Sequence, residues 1–201
     1  ISSYAAIPID MKEMNIAYLT ASSNKNIQGM AGVSFVICEK EALLKSKNIK
    51  PRTLYLNLIA QYEYLIKNNQ LRFTPPVQVL YALRQAIIEF NQEGIINRYN
   101  RYSECWEILI NALEELGLKY VVPKECHSKL ITSIIEPDWI GYSFEDLHDY
   151  CYYRGFTIYP GKIGYKNTFR IANIGDIRPS DMKKFIELLK EYKVILSKKL
   201  N

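Results

Sequence analysis

The sequence has little that would commit it to metal, disulfide or membrane chemistry. Its four cysteines, Cys38, Cys105, Cys126 and Cys151, are widely separated and form no CxxC pair. That excludes a thiolate zinc site of ordinary spacing and a dense disulfide framework, and predicts reduced thiols in a cytoplasmic protein. Only two histidines occur, His127 and His148, in different segments; each reads as a surface or helix residue without a ligand role. No uninterrupted apolar run is long enough to cross a bilayer. The opening ISSYAAIPIDMKEMNIAY lacks a basic start followed by a long apolar block, the pattern of a secretory signal. Charge of one sign is not concentrated either. The 26 basic and 21 acidic residues leave a net +5 dispersed along the chain, with a modest basic cluster in the terminal KVILSKKLN. Neither nucleic acid nor membrane is an expected partner.

What is present suits a folded enzyme. With 201 residues, 48% of them hydrophobic, the chain can form one sizeable domain or two small ones around a real core. It opens at Ile1 without a methionine or a cap, so it reads as a segment of a longer protein. The stretch of greatest chemical interest is IAYLTASSNKNIQGMAG, Ile16 to Gly32. Ile16 to Thr20 form a short β-favouring run that suits a buried strand. Ala21, Ser22, Ser23 and Asn24 then supply hydroxyl and amide groups, Lys25 follows, and Gln28-Gly29 and Gly32 allow tight turns. A lysine at a strand end beside such donors suits an amine that forms a Schiff base to a phosphate-bearing aldehyde cofactor. The segment alone is equally compatible with a solvated loop lysine.

Along the chain, a short helical piece is expected from Asp10 into the strand at Ile16. A second strand is expected over Val33–Cys38 and an amphipathic helix over Glu41–Lys47. LYLNLIAQYEYLIKNN has helical spacing, and Thr74-Pro75-Pro76 fix an extended entry to a helix over Val77–Asn91, whose stripe is Val77, Leu80, Leu83 and Ile87. Gly94 interrupts. A long helix from Ile95 to Leu116 then presents Tyr99, Tyr102, Trp106, Leu109, Ile110 and Leu113 on one face and ends at Gly117. It leads into a second domain. There, strands are expected at Tyr120–Val122, Leu130–Ile135, Phe156–Tyr159 and Thr168–Ala172, with a turn at Pro160-Gly161-Lys162. Helices are expected after the Ser143 cap and from Met182 to Leu196. The expected class is α/β, with domains at 1–93 and 94–201, the second a small α+β unit.

Five separated stretches in this order, SSYAAIPIDM, ASSNKNIQG, RFTPPV, GFTIYPGK and FRIANIGD, resemble the C-terminal half of class V pyridoxal-phosphate aminotransferases. Within the class, IYPGK and FRIANIGD resemble most closely the members that use 2-aminoethylphosphonate and pyruvate. The resemblance implies a fold type I transferase, with the end of the large-domain sheet followed by the small C-terminal domain. It implies pyridoxal 5′-phosphate as cofactor, Lys25 as its covalent attachment point, Ser22 and Asn24 at its phosphate, and Thr74 at the cofactor phosphate of a neighbouring subunit in a homodimer. It implies that Arg170 grips the acidic end of the substrate, a role suited to a guanidinium. The family's aspartate that pairs with the pyridine nitrogen, its phosphate loop and its ring-stacking aromatic would precede Ile1, so this piece alone is expected to be inactive. Another class V reaction, or a non-catalytic dimerisation fragment, are the alternatives.

Overall fold

The computed structural model describes residues 1–198; the last residues of the basic C-terminal cluster lie outside the described residues. The chain divides into two compact units, Ile1–Ile95 and a second beginning at Ile96.

The first unit is built on a two-stranded antiparallel ribbon. Strand β1, Tyr18–Ser22, pairs with β2, Ser34–Cys38, with Tyr18 opposite Cys38 and Ser22 opposite Ser34. β1 starts later than the apolar run suggested, and it is not covered on both faces: Leu19 and Ala21 are buried while Tyr18 is exposed. The helical piece expected at Asp10 is a single turn. Asp10 Oδ1 accepts the N–H groups of Lys12 and Glu13 at 2.9 and 3.0 Å, and Asn15, at φ 52°, ends the turn in the left-handed region.

Three helices follow, α1 (Lys40–Lys45), α2 (Leu58–Asn68) and α3 (Val77–Glu93). α2 starts where Asn57 Oδ1 accepts the Ala60 N–H at 3.1 Å, a cap that contributes about 1 kcal/mol. α3 begins directly after Pro76 and stops where the Gly94 N–H reaches the Phe90 carbonyl. Its buried face differs from the expected stripe. Leu83, Ala86 and Phe90 pack with Tyr4, Ala5, Ile27 and Phe35, whereas Val77, Tyr81 and Ile87 are exposed. The helix has apolar side chains on more than one face, so periodicity did not decide which face is covered.

The second unit is a three-stranded antiparallel sheet in the order β3-β5-β4. Helix α4, Ile95–Glu115, supplies Tyr102, Trp106, Leu109, Ile110 and Leu113 of the stripe read from the sequence to the core, together with Cys105, which that stripe did not include, while Tyr99 is only half-buried. Each fully buried aliphatic side chain there contributes about 1.5–3 kcal/mol of transfer free energy. Strand β3, Ile131–Ile135, is preceded by an isolated bridge at Tyr120 opposite Ile134. Tyr120–Val122 therefore makes no strand, because Pro123 ends the pairing. Helix α5, Phe144–Tyr152, starts at Ser143, whose Oγ accepts the Asp146 N–H at 3.1 Å.

Strand β4 corrects the expectation most sharply. It spans Tyr159–Ile163, so Phe156–Ile158 is not strand and Pro160-Gly161-Lys162 lies inside one. β4 is an edge strand paired only with β5, Lys166–Ala172, and an edge tolerates a proline that lacks a donor. The turn comes later, at Gly164-Tyr165, with Gly164 at φ 60° in the first loop position. Phe156 and Ile158 owe their apolar character to packing: Phe156 lies 5.6 Å from the Phe185 ring, and Ile158 is buried. Helix α6 runs from Pro179, with Asp181 Oδ2 accepting the Arg178 N–H at 3.0 Å.

Candidate active site

In the first unit, the β1–β2 connection carries Lys25. The loop is closed at its base by Ser23, which is fully buried. The Ser23 N–H donates to the Val33 carbonyl at 3.0 Å, the Gly29 N–H donates to the Ser23 carbonyl at 2.8 Å, and Ser23 Oγ donates to the Met30 carbonyl. A side chain at position 29 would bring a Cβ to 3.1 Å from that Ser23 carbonyl oxygen, which is why glycine stands there. Inside this closure the Gln28 N–H donates to the Lys25 carbonyl at 2.8 Å, with Gln28 at φ 68°. Asn26 is buried, its Nδ2 donating to the Ser2 carbonyl at 2.6 Å, and Ile27 enters the core against Ala86. Asn26 and Ile27 thus face inward and leave Lys25 exposed at the tip.

Ser22 and Asn24 precede Lys25 in the same connection. Ser22 Oγ donates to Asn24 Oδ1 at 2.9 Å, which leaves the Asn24 amide N–H groups without a protein acceptor among the described residues. The Lys25 side-chain amine has no hydrogen-bond or ion-pair partner among them either. An unpaired primary amine, a rotatable hydroxyl and a free amide donor on one anchored loop form a donor set that fits a phosphate-bearing aldehyde.

Thr74 is also in the first unit. It is exposed, and it lines a groove of about 330 Å³ together with Gly32, Val33, Ser34, Arg72 and Pro75. The groove thus meets the far end of the Lys25 loop, but no hydrogen bond among the described residues joins Thr74 to Ser22, Asn24 or Lys25. Arg72 Nη1 donates to the Leu54 carbonyl at 2.9 Å and its guanidinium lies 5.1 Å from the Phe73 ring centroid, which holds the Pro75-Pro76 entry in place.

Arg170 belongs to the second unit, in the middle of central strand β5. It lies opposite Ser133 of β3 and Tyr159 of β4, on the face turned away from Ile134, Phe169 and Ile171. Its guanidinium makes one contact, Nη2 to the Pro160 carbonyl at 3.3 Å, and has no carboxylate partner among the described residues. It lines a cavity of about 510 Å³ with Phe156, Ile158, Tyr159, Met182 and Phe185, and with Asp181, whose Oδ2 accepts the Arg178 N–H. A positive charge without a counter-ion beside a largely apolar hollow is a place for an anionic ligand.

Ser22, the serine expected at the cofactor phosphate, is partly accessible, and Ser23, for which the sequence suggests no separate role, is the closure of the loop. Alternation along β1 was the available signal, since Leu19, Ala21 and Ser23 share one face. Gly161, expected in a turn, lies in β4 opposite Thr168.

The model of the family described as aminotransferase class V matches residues 1–163. A 2-aminoethylphosphonate–pyruvate transaminase of Bacillus cereus (strain ATCC 10987 / NRS 248) is 41% identical over 197 residues, covering 96% of this chain and 53% of the relative. This chain therefore spans about half the length of the curated relatives it matches. Among solved structures, pyridoxamine-pyruvate aminotransferase of Mesorhizobium loti superposes with a TM-score of 0.86 at 18% identity, over 98% of this chain and 51% of that one. Alanine–glyoxylate aminotransferase of Nostoc sp. gives 0.81 at 22% identity, over 95% and 52%. Those two likenesses establish a shared mixed α/β fold, and the family match establishes more: the chain belongs to the class V aminotransferases.

Proposed function

We propose that this chain is the C-terminal part of a longer polypeptide that transaminates 2-aminoethylphosphonate with pyruvate, yielding phosphonoacetaldehyde and alanine. The observation that carries the reading is the 41% identity to transaminases of that name over 96% of the chain. The unpaired amine of Lys25 on its anchored loop is consistent with it. In this reading residues 1–93 belong to the cofactor-binding large domain and residues 94–201 are the small C-terminal domain.

Lys25 would hold the cofactor through Nζ, Ser22 Oγ and the Asn24 amide would donate to its phosphate, and Thr74 would donate to the phosphate bound by a second subunit. When bound, pyridoxal 5′-phosphate supplies an aldehyde for amines and a ring that accepts the electron pair of a broken C–H bond. Lys25 Nζ, as a free neutral amine, would take the proton from the substrate carbon that bears nitrogen. Arg170 orients the substrate by two parallel N–H donors to its phosphonate or carboxylate. The homodimer is supported by the apolar surface of the first unit, where Ile49, Leu54, Tyr55 and Leu56 are each at least 65% exposed. The four unpaired cysteines accord with a cytoplasmic protein.

A donor screen on the longer polypeptide with pyruvate as acceptor tests the reading. Alanine formation fastest with 2-aminoethylphosphonate supports it; faster alanine formation from serine, or amino transfer from alanine to glyoxylate in a parallel assay, would replace it with another reaction of the class.

A further inference from the structure

We propose that Gly161 and Thr168 form a steric gauge that sets where the Arg170 guanidinium stands over the sheet, which makes Gly161 a positioning residue for the substrate anion. The inference rests on the reading of Arg170 given above. Gly161 lies directly opposite Thr168, and the next same-face pair in the ladder is Tyr159 opposite Arg170. A Cβ built on Gly161 would stand 2.7 Å from Thr168 Oγ1 and 3.5 Å from both Cγ and Nε of Arg170. The contact with Arg170 is ordinary; the one with Thr168 is closer than real Cβ atoms approach. Thr168 has no easy escape. It is fully buried and β-branched, so close packing restricts its rotamers even though its Oγ1 has no hydrogen-bond partner among the described residues.

The strain from any side chain at position 161 therefore passes to strand β4. β4 is held to the sheet only by β5, so it moves as a unit away from it. The same strand carries the Pro160 carbonyl, the only hydrogen-bond acceptor of the Arg170 guanidinium among the described residues, and the Tyr159 ring opposite Arg170. A shift of β4 takes both from Arg170. The open space at Gly161 is thus a requirement of anion binding as well as of strand pairing.

The test uses the longer polypeptide loaded with pyridoxal 5′-phosphate and four variants, Gly161→Ala, Thr168→Ala, Gly161→Ala with Thr168→Ala, and Arg170→Gln. Gly161→Ala is expected to raise the KM for the anionic amino donor about ten- to a hundredfold while changing kcat less, as for a misplaced binding group. The double variant, which removes the clashing Oγ1, should return KM to within about threefold of the parent. Cofactor absorbance should be unchanged in all four. An unchanged KM in Gly161→Ala alongside a raised KM in Arg170→Gln overturns the gauge and leaves the role of Arg170 intact. An unchanged KM in Arg170→Gln overturns the reading of Arg170 and the gauge with it. Should Gly161→Ala fail to fold, the double variant decides: folding with near-parental KM upholds the gauge, and a second failure to fold refutes Thr168 as the clashing partner.

Discussion

Replacing Asn173 by alanine removes a single side chain that ties three segments of the second unit together. Asn173 is fully buried at the end of the sheet, and its Nδ2 donates to the Tyr102 carbonyl of α4 and to the Lys129 carbonyl ahead of β3, both at 2.8 Å. Its backbone N–H already serves the Leu130 carbonyl at 3.1 Å and is unaffected. Each lost bond costs about 1 kcal/mol net, and a carbonyl left dry adds about 1–3 kcal/mol. Asn173 Oδ1 is buried without a partner, so its removal returns about 1 kcal/mol of desolvation. The balance is a loss of about 2–4 kcal/mol, or about 1–2 M in the urea midpoint at an m-value of about 2 kcal/mol/M. Both tryptophans of the chain, Trp106 and Trp139, lie in the second unit, so their fluorescence follows this unit specifically. A midpoint within about 0.3 M of the parent would refute the bridging role. Asn173→Asp sharpens the test. The introduced carboxylate would face two carbonyls, so its pKa in the folded state rises above the unfolded value. Stability should then be greatest at low pH and be lost as pH rises through the folded pKa.

Three further outcomes follow from the geometry. Burial holds the His127 pKa below its ordinary value, and Nδ1 accepts the Lys129 N–H at 2.9 Å; the stability of the second unit should therefore be full above the unfolded histidine range and fall as pH drops through the folded pKa. Because the His127 ring lies 5.0 Å from that of Trp106, fluorescence of a Trp139→Phe variant should report this protonation, and a flat profile would contradict it. Burial pushes the Cys151 thiol up to about 11, so a thiol reagent at neutral pH should modify exposed Cys126 within the native state and leave Cys105 and Cys151 until unfolding; early labelling of Cys151 would refute the packing. Ser23→Ala should cost about 1–2 kcal/mol locally and speed amide exchange across residues 24–29 by about tenfold, with little effect on exchange in the second unit.

The sequence made some of this legible and concealed the rest for identifiable reasons. The α4 stripe was readable because a long amphipathic helix has one apolar face, so period and burial coincide. α3 was not, because Val77, Tyr81 and Ile87 extend its apolar surface beyond the face that packs. Ser143 announces a helix start by local hydrogen bonding, Asn57 caps α2 inside a stretch whose spacing reads as helix from Leu54, and Pro160-Gly161 announce a turn that an edge strand does not need. Lys25 was noticed for its neighbours Ser22 and Asn24, which do meet in the structure. Ser23 and Gly161 act through what lies across the sheet or loop from them, and no local pattern encodes a contact with Val33 or Thr168.

The central claim is that position 25 carries the amine that captures the cofactor. The longer polypeptide, incubated with pyridoxal 5′-phosphate, reduced with borohydride and mapped by peptide mass, should carry the added mass on the peptide containing Lys25, and Lys25→Arg should abolish it. Label on a different lysine in the parent protein, or undiminished label in that variant, would contradict the account.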